Sequence, residues 1–280
     1  MTHPPGTARA RAQTLDRFLE VARGGSAEAA FRVASLGRAR PDELTGSMPA
    51  TALRTGADGW PAVGGLGVLV DDVLGFAIIA AHPALAWSVS AEISIDVLGP
   101  LPREGELHVT ARASQSSRGR GFASCEVRSD SGALVAMGRQ HGRYVAGPAE
   151  RPTTHVDARA GSRDAVQLSE TLGLDEIPHG GSFALRLHDP RRWANALGNV
   201  HGGASLAASE ATATHAAAPG NRALRTTSVA ISYLRPAPVD AALTFRAQPI
   251  HRGRSVEVLE VVGSSGGRVC THARVTRQSA

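Results

Sequence analysis

The residues best placed to do chemistry lie in the run Asn195-Ala-Leu-Gly198-Asn-Val-His201-Gly202-Gly203, with Glu210 beyond it. The asparagine stands six positions before the histidine and the carboxylate nine after it, and only three asparagines occur in the whole chain. Glycines at a helix start let another chain or ligand approach closely and leave unpaired N–H groups pointing outward. Such groups, at the positive end of the helix, can stabilise the oxyanion formed on a carbonyl under attack. A carboxylate two to three turns into an apolar helix is partly desolvated, which raises its basicity and suits it to activating water or attacking directly. An asparagine can fix the water or the substrate, and a histidine can brace the helix start or polarise the carbonyl. Taken alone, His-Gly-Gly is an ordinary turn, so the reading depends on what positions it.

The positioning elements come in two copies. Ser90-Ala-Glu-Ile-Ser-Ile95 matches Ser228-Val-Ala-Ile-Ser-Tyr233 at an offset of 138, where Gly64-Gly65 also falls on Gly202-Gly203 and Asp72 on Glu210. Leu98, Pro100 and Pro102 match Leu234, Pro236 and Pro238 at 136; Arg118-Gly-Arg120 and Ser131-Gly132 match Arg252-Gly-Arg254 and Ser265-Gly266 at 134. The shared order indicates a tandem duplication with two small deletions. In each copy a Gly-Gly pair opens a buried helix, 66–81 or 204–217, and four alternating strands follow. The strands are expected at 88–97, 105–116, 120–129 and 133–145, then at 225–234, 240–250, 254–263 and 267–277. Met48–Leu53 and Phe183–His188 read as short strands ahead of the helices. The fold class is α+β. The expected organisation is an N-terminal helical segment (1–40), a first unit (41–146), a linker with a short helix (147–180) and a second unit (181–280).

With the Asn…His-Gly-Gly…carboxylate pattern and the downstream Ile231-Ser-Tyr-Leu-Arg-Pro236, the sequence resembles the hotdog-fold thioesterases of the phenylacetate-degradation (PaaI-like) family. The likeness spans 181–277 well and 46–145 more loosely. It implies a double hotdog, each unit a long helix wrapped by an antiparallel sheet, that hydrolyses acyl-CoA to free acid and CoA without cofactor or metal. In that family the site lies between two units, one giving the Asn/His-Gly end and the other the carboxylate. Carried over, one composite site joins Asn195, His201, Gly202 and Gly203 to Asp72, with Ser88 or Ser90 assisting by hydrogen bonding. Asp71 is then structural. The reciprocal site joins Glu210 to Val63 and Gly64, with Gly65 as a further substrate-binding candidate, but Val63 stands where the histidine should be, so it is expected to be weak or dead. The family habit of pairing also implies a homodimer of double-hotdog chains.

Composition limits the alternatives. The chain has no lysine; all 30 of its basic residues are arginine, so Schiff-base and P-loop chemistry are out. No aromatic-interleaved basic patch suggests nucleic acid. The longest apolar run, 68–81, contains Asp71 and Asp72 and falls short of a membrane span, and the N-terminus lacks a signal core, so a cytoplasmic location is expected. Cys125 and Cys270 read as half-buried strand residues, and Trp60, Trp87 and Trp193 as core or pocket wall. His82, His215 and His251 read as surface residues rather than metal ligands. Arg118, Arg120, Arg252 and Arg254 serve a CoA phosphate or simply sit in solvated hairpins. Two other functions fit the fold. A hydratase would need an Asp-x-Asn-x-x-His segment, which is missing, and a non-catalytic acyl-CoA binder or scaffold would tolerate the altered first copy.

Overall fold

The computed structural model describes residues 5–40, 43–117, 119–146, 166–178, 183–217 and 223–279. The inter-copy segment expected as a linker lies for the most part outside them. Five α-helices and twelve strands are described: α1 (Pro5–Arg23), α2 (Ser26–Ala30), β1 (Ala34–Arg40), β2 (Glu43–Pro49), α3 (Gly67–Ala81) and β3 (Trp87–Val97). Then come β4 (Glu106–Ser116), β5 (Arg120–Ser129), β6 (Leu134–Val145), α4 (Leu168–Leu172), β7 (Leu174–Ile177) and β8 (Phe183–Leu187). The second half ends with α5 (Gly202–Ala216), β9 (Leu224–Tyr233), β10 (Leu243–Arg252), β11 (Val256–Ser265) and β12 (Arg268–Ser279).

All twelve strands join one antiparallel sheet in the order β1-β2-β4-β5-β6-β3-β9-β12-β11-β10-β8-β7. Read from its two ends, this order is the same for both halves. Each half is a six-stranded unit wrapped on its own helix, and the halves meet at β3 and β9. There Ile93 pairs with Ile231, its own counterpart in the repeat, so the pseudo-two-fold axis passes through that pair.

The strands follow from alternation: β11 buries every second residue along its length. The helices follow from near-continuous apolarity. Val63–Ala81 has the length and hydropathy of a membrane span, yet 83% of its apolar window is buried within the protein, as a core helix requires. In α5 the core is built of small residues, and its buried hydroxyls are satisfied inside the helix: Ser209 and Thr212 donate to the Ser205 and Ala208 carbonyls at 2.8 and 2.7 Å. The two long helices touch backbone to backbone near their starts. A Cβ on Gly67 would lie 2.5 Å from the Gly203 carbonyl oxygen, and one on Gly203 would lie 2.5 Å from Val68 Cα. This contact, closed to any residue but glycine, holds the start of α5 beside the first turns of α3.

Several sequence expectations need correction. Residues 34–40 form strand β1 rather than continuing the N-terminal helices, because they pair with β2 at the sheet edge. The strand expected at Met48–Leu53 ends at Pro49, and Ala50–Leu53 is a 3-10 turn. The short helix expected near 165–173 is present, but β7 follows it unforeseen and pairs with β8. Cys125 and Cys270 are fully buried rather than half-buried.

Candidate active site

Adjacent residues on a helix point about 100° apart, so Asp71 and Asp72 on α3 reach a shared neighbour from different sides. His201, the N-cap of α5, stands between them and uses both edges of its ring. Its Nδ1 lies 3.2 Å from Asp71 Oδ2, and its Nε2 lies 3.3 Å from Asp72 Oδ1. A third carboxyl, Glu28 of α2, places Oε1 3.8 Å from the same Nε2. Burial opposes charge on the ring, but the Asp72 hydrogen bond and the charges of Asp72, Asp71 and Glu28 outweigh it and hold His201 up at about 10. The surrounding carboxylates therefore favour the charged ring. The Gly203 N–H lies 3.0 Å from Nδ1 and 2.9 Å from Asp71 Oδ2; with Nδ1 protonated, only the carboxylate can accept it.

Asp71 is the better-oriented carboxylate. Its Oδ2 accepts Gly203 N–H and lies 3.2 Å from His201 Nδ1, while its Oδ1 accepts the Ser90 hydroxyl at 2.8 Å. Ser90 Oγ in turn accepts from Gln140 Nε2 at 2.9 Å. A chain Gln140–Ser90–Asp71–Gly203 thus runs from β6 through β3 and α3 to the start of α5, crossing between the repeats. Asp72 keeps one oxygen on His201 and has Oδ2 buried without a hydrogen-bond partner. Burial raises its pKa, against the lowering effect of the His201 hydrogen bond.

These groups line one cavity of about 900 Å³. Along α3 its wall changes from acid to apolar at helical spacing, Asp71, Gly75 and Ile79 on one line and Asp72 and Phe76 on the next. Phe18 of α1 and Trp87 of β3 close that apolar end, their ring centroids 4.9 Å apart. Arg143, Arg191 and Arg235 also line the cavity.

Sequence reasoning brought together most of this site and misassigned some of it. Asp72, Asn195, His201, Gly202, Ser88 and Ser90 all line the cavity. Ser90, however, bonds Asp71 rather than Asp72, and the Ser88 hydroxyl has no partner. Asn195 uses its Oδ1 to accept from Leu197 and Asn199 N–H at 2.9 and 3.1 Å, which shapes the loop leading to His201. That loop turns at Gly198, where φ is +75°. The Gly202 carbonyl accepts from the Tyr233 hydroxyl at 2.7 Å, fixing the helix start.

Glu210, Gly64 and Gly65, by contrast, lie outside the cavity. Glu210 is 1% exposed and accepts Gly64 N–H at 2.6 Å and Val63 N–H at 3.2 Å, a carboxylate-to-helix-start contact one residue out of the repeat register from that of Asp71 with Gly203. Burial pushes its carboxyl up to about 7, against those hydrogen bonds. A Cβ on Gly64 would lie 2.8 Å from Ala207 Cα, and one on Gly65 would lie 2.6 Å from Leu53 Cα, so both glycines are packed rather than open to substrate. The hairpin arginines are also placed elsewhere: Arg120 and Arg252 do not line the main cavity, and Arg118 falls outside the described residues. Glu28 and Gln140 were not singled out, and Asp71, read as structural, also lines the cavity. Single Glu and Gln residues far apart in sequence carry no spacing signal, and the repeat register selects Asp72 over its neighbour.

Comparison with known proteins places the chain. The family model for the acyl-CoA thioesterase C-terminal domain matches residues 4–144, and the one for the N-terminal domain matches residues 190–278. The chain belongs to the acyl-CoA thioesterase family. It is a thioester hydrolase of double-hotdog fold. Its halves stand in the reverse order to those domain names. A pseudo-two-fold sheet tolerates this, because its strand order reads the same from either end, whichever half comes first. The missing histidine of the first half is thus in keeping with a different domain type.

Solved structures share the fold at low identity. The tesB protein of Mycobacterium avium subs paratuberculosis is 12% identical, with 90% of this chain and 97% of that one covered at a TM-score of 0.60. Acyl-CoA thioesterase II TesB2 of Mycobacterium marinum is 10% identical over 91% and 98%, at 0.59. An acyl-ACP thioesterase of Bacteroides thetaiotaomicron is 13% identical over 84% and 98%, at 0.55. No curated protein matches the chain.

Proposed function

We propose that the chain hydrolyses acyl-CoA at one composite site, with Asp71 as the general base and the start of α5 as the oxyanion site. The observation that carries this reading is Asp71 itself. Its two oxygens are aimed from both repeats, by Ser90 at 2.8 Å and by Gly203 N–H at 2.9 Å, on the wall of the cavity. A water held against Asp71 loses its proton to the carboxylate as its oxygen bonds to the thioester carbon. The carbonyl electrons pass to oxygen, which faces the Gly202 N–H; that group is the first of α5 and has no partner within the helix. When the tetrahedral species collapses, the C–S bond breaks and the sulfur leaves with the proton returned by Asp71, giving free acid and thiol. The repeat register favours Asp72 for this role, but Asp72 lacks the Ser90 and Gly203 contacts that orient Asp71 and leaves its Oδ2 without a partner, so it acts as a support instead.

The apolar wall of Phe18, Phe76, Ile79 and Trp87 suits an acyl chain, and Arg143, Arg191 and Arg235 suit the phosphates of a CoA carrier. The test is a panel of acyl-CoAs with a thiol-trapping reagent. Release of one thiol per acid supports the reading. Loss of enoyl absorbance without thiol release would favour a hydratase, and saturable binding with neither would favour a carrier or scaffold.

A further inference from the structure

The two units repeat more than the sequence match reveals, since each has a short helix ahead of its outer strands, α2 in the first and α4 in the second. The third residue of each is a glutamate, Glu28 and Glu170. Glu170 is exposed and does what a glutamate at that position ordinarily does: its Oε2 accepts the Val166 and Gln167 N–H groups at 3.0 and 3.1 Å, closing a capping box. Glu28 is 6% exposed and turns inward to the active-site cavity, with Oε1 3.8 Å from His201 Nε2. Space for it is made by Gly25, since a Cβ there would overlap the Glu28 carboxyl group. Burying a carboxyl without a job is costly, and the equivalent position shows that capping does not require it.

We propose that Glu28 is a positioning residue of this site: the N-terminal segment supplies a third carboxyl that, with Asp72, fixes the Nε2 edge of His201 and so aims Nδ1 at Asp71. This rests on the reading of Asp71 as the base. The charged and titratable groups facing His201 are Glu28 from α2, Asp71 and Asp72 from α3, and the Tyr233 hydroxyl from β9, which is tied to the Gly202 carbonyl. Glu28 and Asp72 also bring their carboxylate oxygens within 4.8 Å of each other and of Nε2. Burial first, then the charge of Asp72, raises the Glu28 carboxyl to about 8. Burial thus favours its neutral acid, which lies beside Asp72, whose Oδ2 has no hydrogen-bond partner. A divalent cation could occupy the same three groups only by displacing the proton on Nε2.

The test uses the full chain and two variants, Glu28→Gln, which mimics the neutral acid, and Gly25→Ala, which displaces the carboxyl without removing it. Below pH 7 Glu28→Gln should follow the parent, and above pH 8 its kcat should fall about tenfold below it with KM unchanged, the equivalent of one weakened charge contact. Gly25→Ala should lower kcat by a similar factor at every pH. A purely structural glutamate would instead lower only the melting temperature. Nitrogen NMR of the His201 ring, identified by its loss in His201→Asn, reads the same contact without any substrate. Its titration midpoint should drop by about one pH unit in Glu28→Gln. If that shift appears but no thioester is cleaved, the substrate reading fails and the positioning role stands. The proposal is overturned if both variants keep the parental pH profile and His201 titration, or if the purified protein carries a stoichiometric divalent metal.

Discussion

Replacing Asp71 by Asn and, separately, Asp72 by Asn asks which of two neighbouring carboxylates performs the chemistry. Asn at 71 is nearly isosteric: with its amide oxygen accepting from Gly203 N–H, its NH2 faces the Ser90 hydroxyl, which can accept in turn, so both contacts, 2.9 and 2.8 Å in the parent, can be kept. The fold should therefore persist while the proton acceptor is lost. General-base catalysis contributes about 10²–10⁴-fold, so kcat should fall by that factor, or about 2.7–5.4 kcal/mol of transition-state stabilisation. Asn at 72 removes the charge on one edge of His201, whose Nε2 sits 3.3 Å away, but leaves Asp71 and Glu28 in place. A hydrogen bond to a charged group is worth about 1.5–3 kcal/mol, and only the part that reorients Asp71 reaches the transition state. The loss in kcat should accordingly be about tenfold or less. Steady-state hydrolysis of one acyl-CoA by both variants, with circular dichroism to establish folding, gives the comparison. Inactivity at Asp72→Asn together with near-parental turnover at Asp71→Asn would refute the assignment and restore the carboxylate that the repeat register selects.

Two further outcomes follow from the buried charges. Glu210→Ala leaves the Gly64 and Val63 N–H groups without acceptors, so it should cost about 2–4 kcal/mol in denaturant unfolding while leaving kcat close to the parent value. A large loss of activity without loss of stability would mean that the second site works. The native chain should also lose stability as pH rises. Glu210 titrates near 7 and Glu28 near 8 instead of 4.5, and His201 near 10 instead of 6.5. Each holds more protons folded than unfolded across its window. The two acids thus lower stability as pH climbs from about 4.5 to 7 or 8, and the His201 contribution, complete below 6.5, fades towards 10. Melting temperatures from pH 5 to 10 should decline, and a rising curve would contradict the burial of these groups in the native state.

The sequence by itself determined the duplicated α+β architecture, because an apolar helix and alternating strands each dictate their own burial, and matching residues at a near-constant offset can only mean a repeated unit. It also marked the start of α5: glycines are needed where Gly203 crosses the backbone of α3, and His201 and Asn195 stand close to them along the chain. Tertiary structure alone decided which acid meets them. Asp71 and Asp72 differ by one position, and their contacts were set by how α3 is rotated against β3 and α5, which places one toward Ser90 and the other toward Glu28. Ser90, Gln140 and Glu28 reach the site from separate elements, so no spacing along the chain could reveal them. The fate of Glu210 was likewise a matter of packing: its N–H partners are those the repeat predicts, but Ala207 of its own helix and Leu53 fill the space a substrate would need.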